Sequence, residues 1–344
     1  MKLRVLGFGC FAACLLFLNA CQQDDSIQMD SSEWPELMDI PTGFPAIEEP
    51  ADNTFSPARW ALGKRLFFDK ALSIDSSISC ASCHLPALAF SDNEAFSPGV
   101  FDAPGVRNAP SLTNVAYLPY YTREGGIPSL ELQVLIPIQE PNEFNHNMVE
   151  LIEQIRMDQS YQDQALDAYV REFDAFVLTR ALACFERSLI SGHAPFDDYF
   201  YRGKSSLNAS ELRGMDLFFS DSLACSSCHG GFNFTENAFE NNGLYEVYAD
   251  PGRFRLTQDS SDIARFKTPT LRNIELTAPY MHDGSMWTLE EVIQHYANGG
   301  QNHLNKSPLL QGFSISEEEQ VDLIAFLKSL TDESFISNPL FAEP

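Results

Sequence analysis

Two five-residue motifs constrain this chain more than anything else in it: Cys80-Ala81-Ser82-Cys83-His84 and Cys225-Ser226-Ser227-Cys228-His229. C-x-x-C-H is the attachment pattern of c-type haem. Two thiols add to the vinyl groups, and the adjacent His turns its ring onto the iron from the same short helix. A redox C-x-x-C pair does not need the His. A zinc ribbon brings its two knuckles within a few tens of residues, whereas these motifs lie in opposite halves of a 344-residue chain. Simple disulfides would not place a His after the second Cys twice. The expectation is two covalently bound haem c groups, held by Cys80 and Cys83 and by Cys225 and Cys228, with His84 and His229 as axial iron ligands.

The motifs sit in an internal repeat. Gly63-Lys64-Arg65-Leu66-Phe67-Phe68 precedes the first and Gly214-Met215-Asp216-Leu217-Phe218-Phe219 the second, each closing a helical segment. Asn208 with Glu211 forms a capping box for the latter, and Ser316 with Glu319 caps a helix over 317–330 carrying Val321, Ile324, Phe326 and Leu327. That helix is expected to pack on 209–219. Its counterpart in the first half is 175–191, with Phe176, Leu178, Leu182 and Phe185, and with Cys184 as a buried structural thiol. Strand alternation is weak throughout. The fold class expected is mainly α, two class I cytochrome c-like haem domains packed against each other. The boundary falls in 192–207, which holds Gly192, Pro195, Gly203 and Ser205-Ser206 without sustained periodicity. The domains read as 57–205 and 206–344.

The N-terminus reads as a leader. Lys2 and Arg4 precede an apolar run from Val5 to Leu18, too short for a typical transmembrane helix and placed like a signal peptide. Leu18-Asn19-Ala20-Cys21 resembles a bacterial lipobox, so residues 1–20 are expected to leave and Cys21 to carry lipid. Gln22 follows, not the Asp of an inner-membrane retention signal, so the expectation is an exported, periplasmic lipoprotein anchored to the outer membrane. Residues 21–56, rich in Asp, Glu, Ser and Pro, read as an acidic tether. The whole chain carries 22 Lys and Arg against 48 Asp and Glu, a formal charge of −26. That excludes a nucleic-acid footprint, which is basic, and suits a basic protein partner.

A haem with two protein ligands carries electrons, while one with an open face can bind peroxide. No His or Met lies between His84 and His146, so an open face on the first iron fits the inventory. Nearby, Gln133 and Glu143 are of the right type for moving a proton, although on composition alone both are ordinary surface residues. For the second iron, Met281, His282, Met286, His295, Tyr296 and His303 all follow the motif, and chemistry alone does not choose among them.

Across about residues 55–335 the chain closely resembles the bacterial dihaem cytochrome c peroxidase and MauG family. The resemblance rests on Gly63–Asp69, Cys80–His84, Arg107–Leu112, Ser129–Glu143, Phe185-Glu186-Arg187, Cys225–His229, Phe266–Asn273 and Thr277–Gly284. It implies a peroxidatic N-terminal haem and an electron-receiving C-terminal haem. Gln133 and Glu143 would be catalytic, H2O2 the oxidant, and a small cytochrome c or cupredoxin the electron donor. A MauG-like oxidase acting on a protein or small molecule is the alternative. The resemblance also implies one Ca2+ between the domains, held by the Asn108 side chain and the Thr277 and Pro279 backbone oxygens, and it admits a homodimer. Three positions depart from the family. Val100 stands where peroxidases often carry a His that caps the resting first iron. Tyr296, as in MauG, stands where peroxidases place a Met on the second. Arg123 stands where the family has a Trp between the haems, leaving Tyr120 or Tyr121 as substitutes, or direct electron tunnelling.

Overall fold

Helix carries nearly all of the regular structure, as the weak strand alternation predicts. In the computed structural model, residues 26–28 and 37–344 are described; the leader and Cys21 lie outside them. The N-terminal half runs α1 (Pro57–Phe68), α2 (Cys80–Cys83), α3 (Leu130–Gln133), α4 (Leu135–Gln139), α5 (Met148–Arg156), α6 (Gln159–Tyr169) and α7 (Ala175–Arg187). The rest runs α8 (Pro195–Phe200), α9 (Ala209–Phe218), α10 (Phe254–Thr257), α11 (Leu289–Ala297), α12 (Glu317–Lys328) and α13 (Glu333–Ile336). Among the described residues, four short strands form two antiparallel pairs, β1 (Ser26–Gln28) with β2 (Glu48–Pro50) and β3 (Phe239–Glu240) with β4 (Phe266–Lys267).

The repeated glycine marks a close helix crossing in each half. A Cβ at Gly63 would lie 1.9 Å from the Ala181 carbonyl oxygen of α7, and one at Gly214 would lie 1.9 Å from the Asp322 carbonyl oxygen of α12. No other residue lets the backbones approach that closely. The repeated Phe fills the same hole twice. Phe67 packs on Phe185 with ring centroids 5.1 Å apart and on Phe90 at 5.9 Å; Phe218 packs on Phe326 at 5.2 Å and on Phe234 at 5.8 Å. Each buried Phe is worth roughly 1.5–3 kcal/mol. The expected pairings, α9 with α12 and α1 with α7, are both present, and Cys184 is buried.

Both partner helices end earlier than their periodicity suggests, α7 at Arg187 and α12 at Lys328. The cause is again duplicated. Ser188 Oγ donates back to the Phe185 carbonyl and Ser329 Oγ to that of Phe326, each at 2.7 Å. Asn114 and Asn273 then capture the departing chain: their backbone N–H groups donate to Leu189 O and Leu330 O, and their side-chain oxygens accept from Ser191 N and Asp332 N, each at 2.8 Å. Side chains thus take the backbone groups that another helical turn would have used.

Packing crosses the divisions expected from sequence at three places. Residues 37–56 do not behave as tether: Met38, Ile47 and Phe55 join the N-terminal core, while Glu49 and Asn53 are buried. The 192–207 boundary is not a loose linker. It contains α8, Phe196 joins the C-terminal core, and Asp197 pairs with Arg272 at 2.9 Å with both side chains fully buried. The final segment leaves its own half, and Phe335 and Phe341 pack against Phe90 in the N-terminal core.

Candidate functional site

Ser79 caps α2, the single turn that carries Cys80 and Cys83, and His84 closes it with its N–H on the Cys80 carbonyl. His84 Nδ1 lies 2.8 Å from the Phe90 carbonyl oxygen, and His229 Nδ1 lies 3.2 Å from that of Phe234. A carbonyl only accepts, so Nδ1 carries the proton and Nε2 keeps its lone pair. Burial lowers the pKa of both imidazoles, that of His229 to about 4, so both stay neutral. All four motif thiols are free and partly accessible. Two unpaired thiols beside a neutral imidazole with a free ring nitrogen fit a covalently attached haem at each motif.

Around the first motif, the chain brings carboxyl groups together. Pro137 has no N–H for the Gln133 carbonyl, and the helix breaks between α3 and α4 at that point. Gln133 Oε1 is buried there with no hydrogen-bond partner among the described residues. Glu143 sits in the following turn, where its N–H meets the Glu140 carbonyl and its own carbonyl accepts from Val100 N at 3.0 Å. The Glu143 side chain keeps solvent access but is crowded by protein. That crowding, reinforced by Glu140, pushes its carboxyl up to about 7. Its charge reaches both Cys80 and Cys83. Val100 is fully buried beside this turn, and a Cβ on Gly99 would lie 2.0 Å from the Asn142 carbonyl oxygen, so the 97–100 segment packs tightly against Glu143 without offering an iron ligand.

Two features here lie in motifs quoted for the family resemblance, but the sequence assigned them no role. Glu131 and Arg187 form a buried ion pair at 2.7 Å, which Asn53 completes with a 2.7 Å bond to the same carboxyl oxygen. Glu186 is pushed up to about 8 by burial and acts electrostatically on Cys80. The available signal was two charges, Glu186-Arg187, ending the apolar run Leu178, Leu182, Phe185 on one helix.

At the second motif, α11 carries Tyr296. Burial, opposed by a hydrogen bond with Asn242 and reinforced by Cys228 and Cys225, pushes its hydroxyl up to about 12. Several rival residues are engaged elsewhere. Met281 sulfur accepts from Asn242 Nδ2 at 3.1 Å, and His295 Nε2 lies 2.9 Å from Asn242 O. His303 Nδ1 accepts from Asn305 N at 3.0 Å, and the His282 ring stacks on Phe266 at 4.3 Å.

The halves meet around Asn108. Its N–H donates to the His282 carbonyl at 3.0 Å. Its side-chain oxygen, expected on calcium, instead accepts from Arg123 Nη2 at 2.9 Å, and its carbonyl accepts from Arg123 Nε at 3.1 Å and Nη2 at 2.7 Å. Calcium takes oxygens at about 2.3–2.6 Å, so an ion on that amide would sit about 4 Å from the guanidinium, a repulsion on the order of 8 kcal/mol at an effective dielectric of about 20. No carboxylate among the expected ligands offsets it. Thr277 ends a 3₁₀ turn with its hydroxyl on the Ile274 carbonyl, and Pro279 precedes Tyr280, whose hydroxyl meets the same carbonyl. The residues therefore do not fit the expected calcium ion. Of the two tyrosines nearby, Tyr120 reaches the C-terminal half, stacking on Phe239 at 5.1 Å and donating to Asn237 O at 2.9 Å, whereas the Tyr121 hydroxyl donates to Val115 O.

A chain with two such attachment sites, one per cytochrome c-like half, is a dihaem c-type protein. The family model for di-haem cytochrome c peroxidase matches residues 57–206, and that for cytochrome c matches 212–331. The methylamine utilization protein MauG of Methylorubrum extorquens is 35% identical over 94% of this chain and 90% of its own. The cytochrome-c peroxidase IdrP1 of Pseudomonas sp. (strain SCT) is 32% identical over 86% of both. The crystal structure of a MauG-like protein associated with microbial copper homeostasis superposes with a TM-score of 0.84 at 35% identity, covering 89% of this chain and 98% of that one. The chain belongs to the dihaem cytochrome c peroxidase and MauG family, a family of oxidoreductases whose cytochrome c domains imply covalently bound haem c.

Proposed function

We propose that this protein is a dihaem peroxidase, reducing H2O2 to two waters with two protons and two electrons from a small redox protein such as a cytochrome c or cupredoxin. The observation that supports this most is Glu143, a carboxyl held near neutrality whose charge reaches both thiols of the first haem site. When bound there, the haem supplies an iron that takes peroxide and exchanges electrons. Glu143 as carboxylate accepts the proton of the near peroxide oxygen and returns it to the far one, which then departs as water. The Gln133 amide, buried and with a free oxygen, orients that proton's path. Electrons would arrive through the His229 site, where Tyr296 would join His229 in holding the haem. A phenolate there, hard and anionic, would hold the potential low.

Tyr296 also supports a second reading, a MauG-like oxidase that withdraws electrons from a protein or small molecule. Mixing the purified dihaem protein with H2O2, with and without reduced cytochrome c, separates the two. Rapid cytochrome oxidation is the result expected. A haem spectral change that persists and ignores the cytochrome would favour the oxidase, and no haem response would refute both. The proposal includes export and lipidation at Cys21, which mass spectrometry of the membrane-extracted protein tests. It admits a homodimer and requires no calcium.

A further inference from the structure

We propose that the Arg123 guanidinium is the resident cation at the junction of the two haem-bearing halves, so that this junction is set without any divalent metal ion. Arg123 grips Asn108 through three bonds to its carbonyl and amide oxygens, which sets a permanent positive charge against the oxygen a metal would use. Burial and the neighbouring Arg107 charge lower the Arg123 pKa to about 10, which leaves it charged at neutral pH, and the carboxyl groups of Asp283, Asp250 and Glu124 oppose that shift. Two of these are also bound by Arg107, which contacts Glu124 and holds Asp250 at 2.6 Å. The backbone of Arg123 completes the bridge: its carbonyl accepts from Lys267 N in β4 at 2.7 Å, and Lys267 Nζ returns to the Tyr120 carbonyl at 2.7 Å. One residue thus ties Asn108 by its side chain and the C-terminal half by its main chain. Asn108 N–H in turn holds the His282 carbonyl, four residues after Ala278 in the segment expected to share the metal.

A guanidinium is permanently charged at neutral pH and planar, and its fork grips two oxygens at once. A metal ion exchanges with solvent; this cation cannot. Arg123 is therefore a positioning residue that fixes the junction irrespective of free calcium. The inference does not depend on whether the enzyme acts as peroxidase or oxidase, because its readout is metal binding.

The test uses the dihaem holoprotein. Metal content after dialysis against calcium is measured by plasma mass spectrometry, and the haem absorbance and electron paramagnetic resonance spectra are followed through EGTA and calcium titrations. The wild type is expected to hold well under one calcium per chain and to show no spectral response. Arg123→Ala frees the Asn108 oxygens and is expected to acquire a saturable calcium response, whereas Arg123→Lys, which keeps the charge, is not. A stoichiometric calcium in the wild type whose removal alters the haem spectra would overturn the proposal. So would an Arg123→Ala holoprotein as indifferent to calcium as the wild type. If Arg123→Ala does not fold, the wild-type metal content and Arg123→Lys still decide.

Discussion

Glu143 shows how much one side chain's surroundings decide. The same carboxyl in water would be ionised well below neutrality and would be a poor base. Here, crowding by the turn and the charge of Glu140 bring it to about 7. The sign of the pH dependence follows. In the proposed mechanism the carboxylate is the working form and the protonated acid is idle, so peroxide turnover is expected to fall as pH drops through about 7, by roughly tenfold per pH unit on the acid side. A pH series of kcat/KM for H2O2 checks this, and in Glu143→Gln the limb is expected to vanish. At this scale the sequence was informative about chemistry but not about neighbours. Val100, Tyr296 and Arg123 stand out as departures from a family pattern. That Arg123 lies on Asn108 was not legible, because the two are fifteen residues apart with an intervening turn and no periodic element to relate them.

At the scale of elements, the duplicated Gly-x-x-Leu-Phe-Phe was the most readable part of the fold, because each of its residues has one steric job. Gly63 and Gly214 sit where a Cβ would meet a backbone oxygen. Gly63→Ala and Gly214→Ala are each expected to force the helix pair apart, with a loss of about 1–3 kcal/mol. Thermal unfolding of the holoproteins measures it, and the two losses should be of similar size. The helix starts at Asn208 and Ser316 were legible from their capping boxes, and both are formed. The early ends of α7 and α12 were not, since they depend on Asn114 and Asn273, which come from distant segments. Apolar periodicity marks which face is buried, but it does not say where a remote side chain captures the chain.

For the whole molecule, composition misled where tertiary packing took over. Residues 37–56 look like tether, yet Ile47 and Phe55 fill core positions. The C-terminal segment crosses back so that Phe335 and Phe341 complete an aromatic cluster with Phe90, whose carbonyl orients His84. A cut at 205/206 would therefore not yield two independent domains. Phe335→Ala is expected to destabilise the N-terminal half by about 3–5 kcal/mol, and the loss should appear as weaker structure around the first haem rather than the second. Separate monitoring of the two haem signals during denaturation distinguishes them. The acidic surface, formally −26, belongs to this scale as well; it suits approach of a basic electron donor.

In the proposed function, peroxide is cleaved at the Cys80–His84 site with Glu143 moving the proton. Stopped-flow mixing of H2O2 with wild-type and Glu143→Gln holoproteins, followed by haem absorbance, tests it most directly. The prediction is that the variant retains both haems and its resting spectrum while the peroxide-driven change slows by about 10²–10⁴-fold. A Glu143→Gln protein that reacts with H2O2 as fast as the wild type would rule out that role for Glu143.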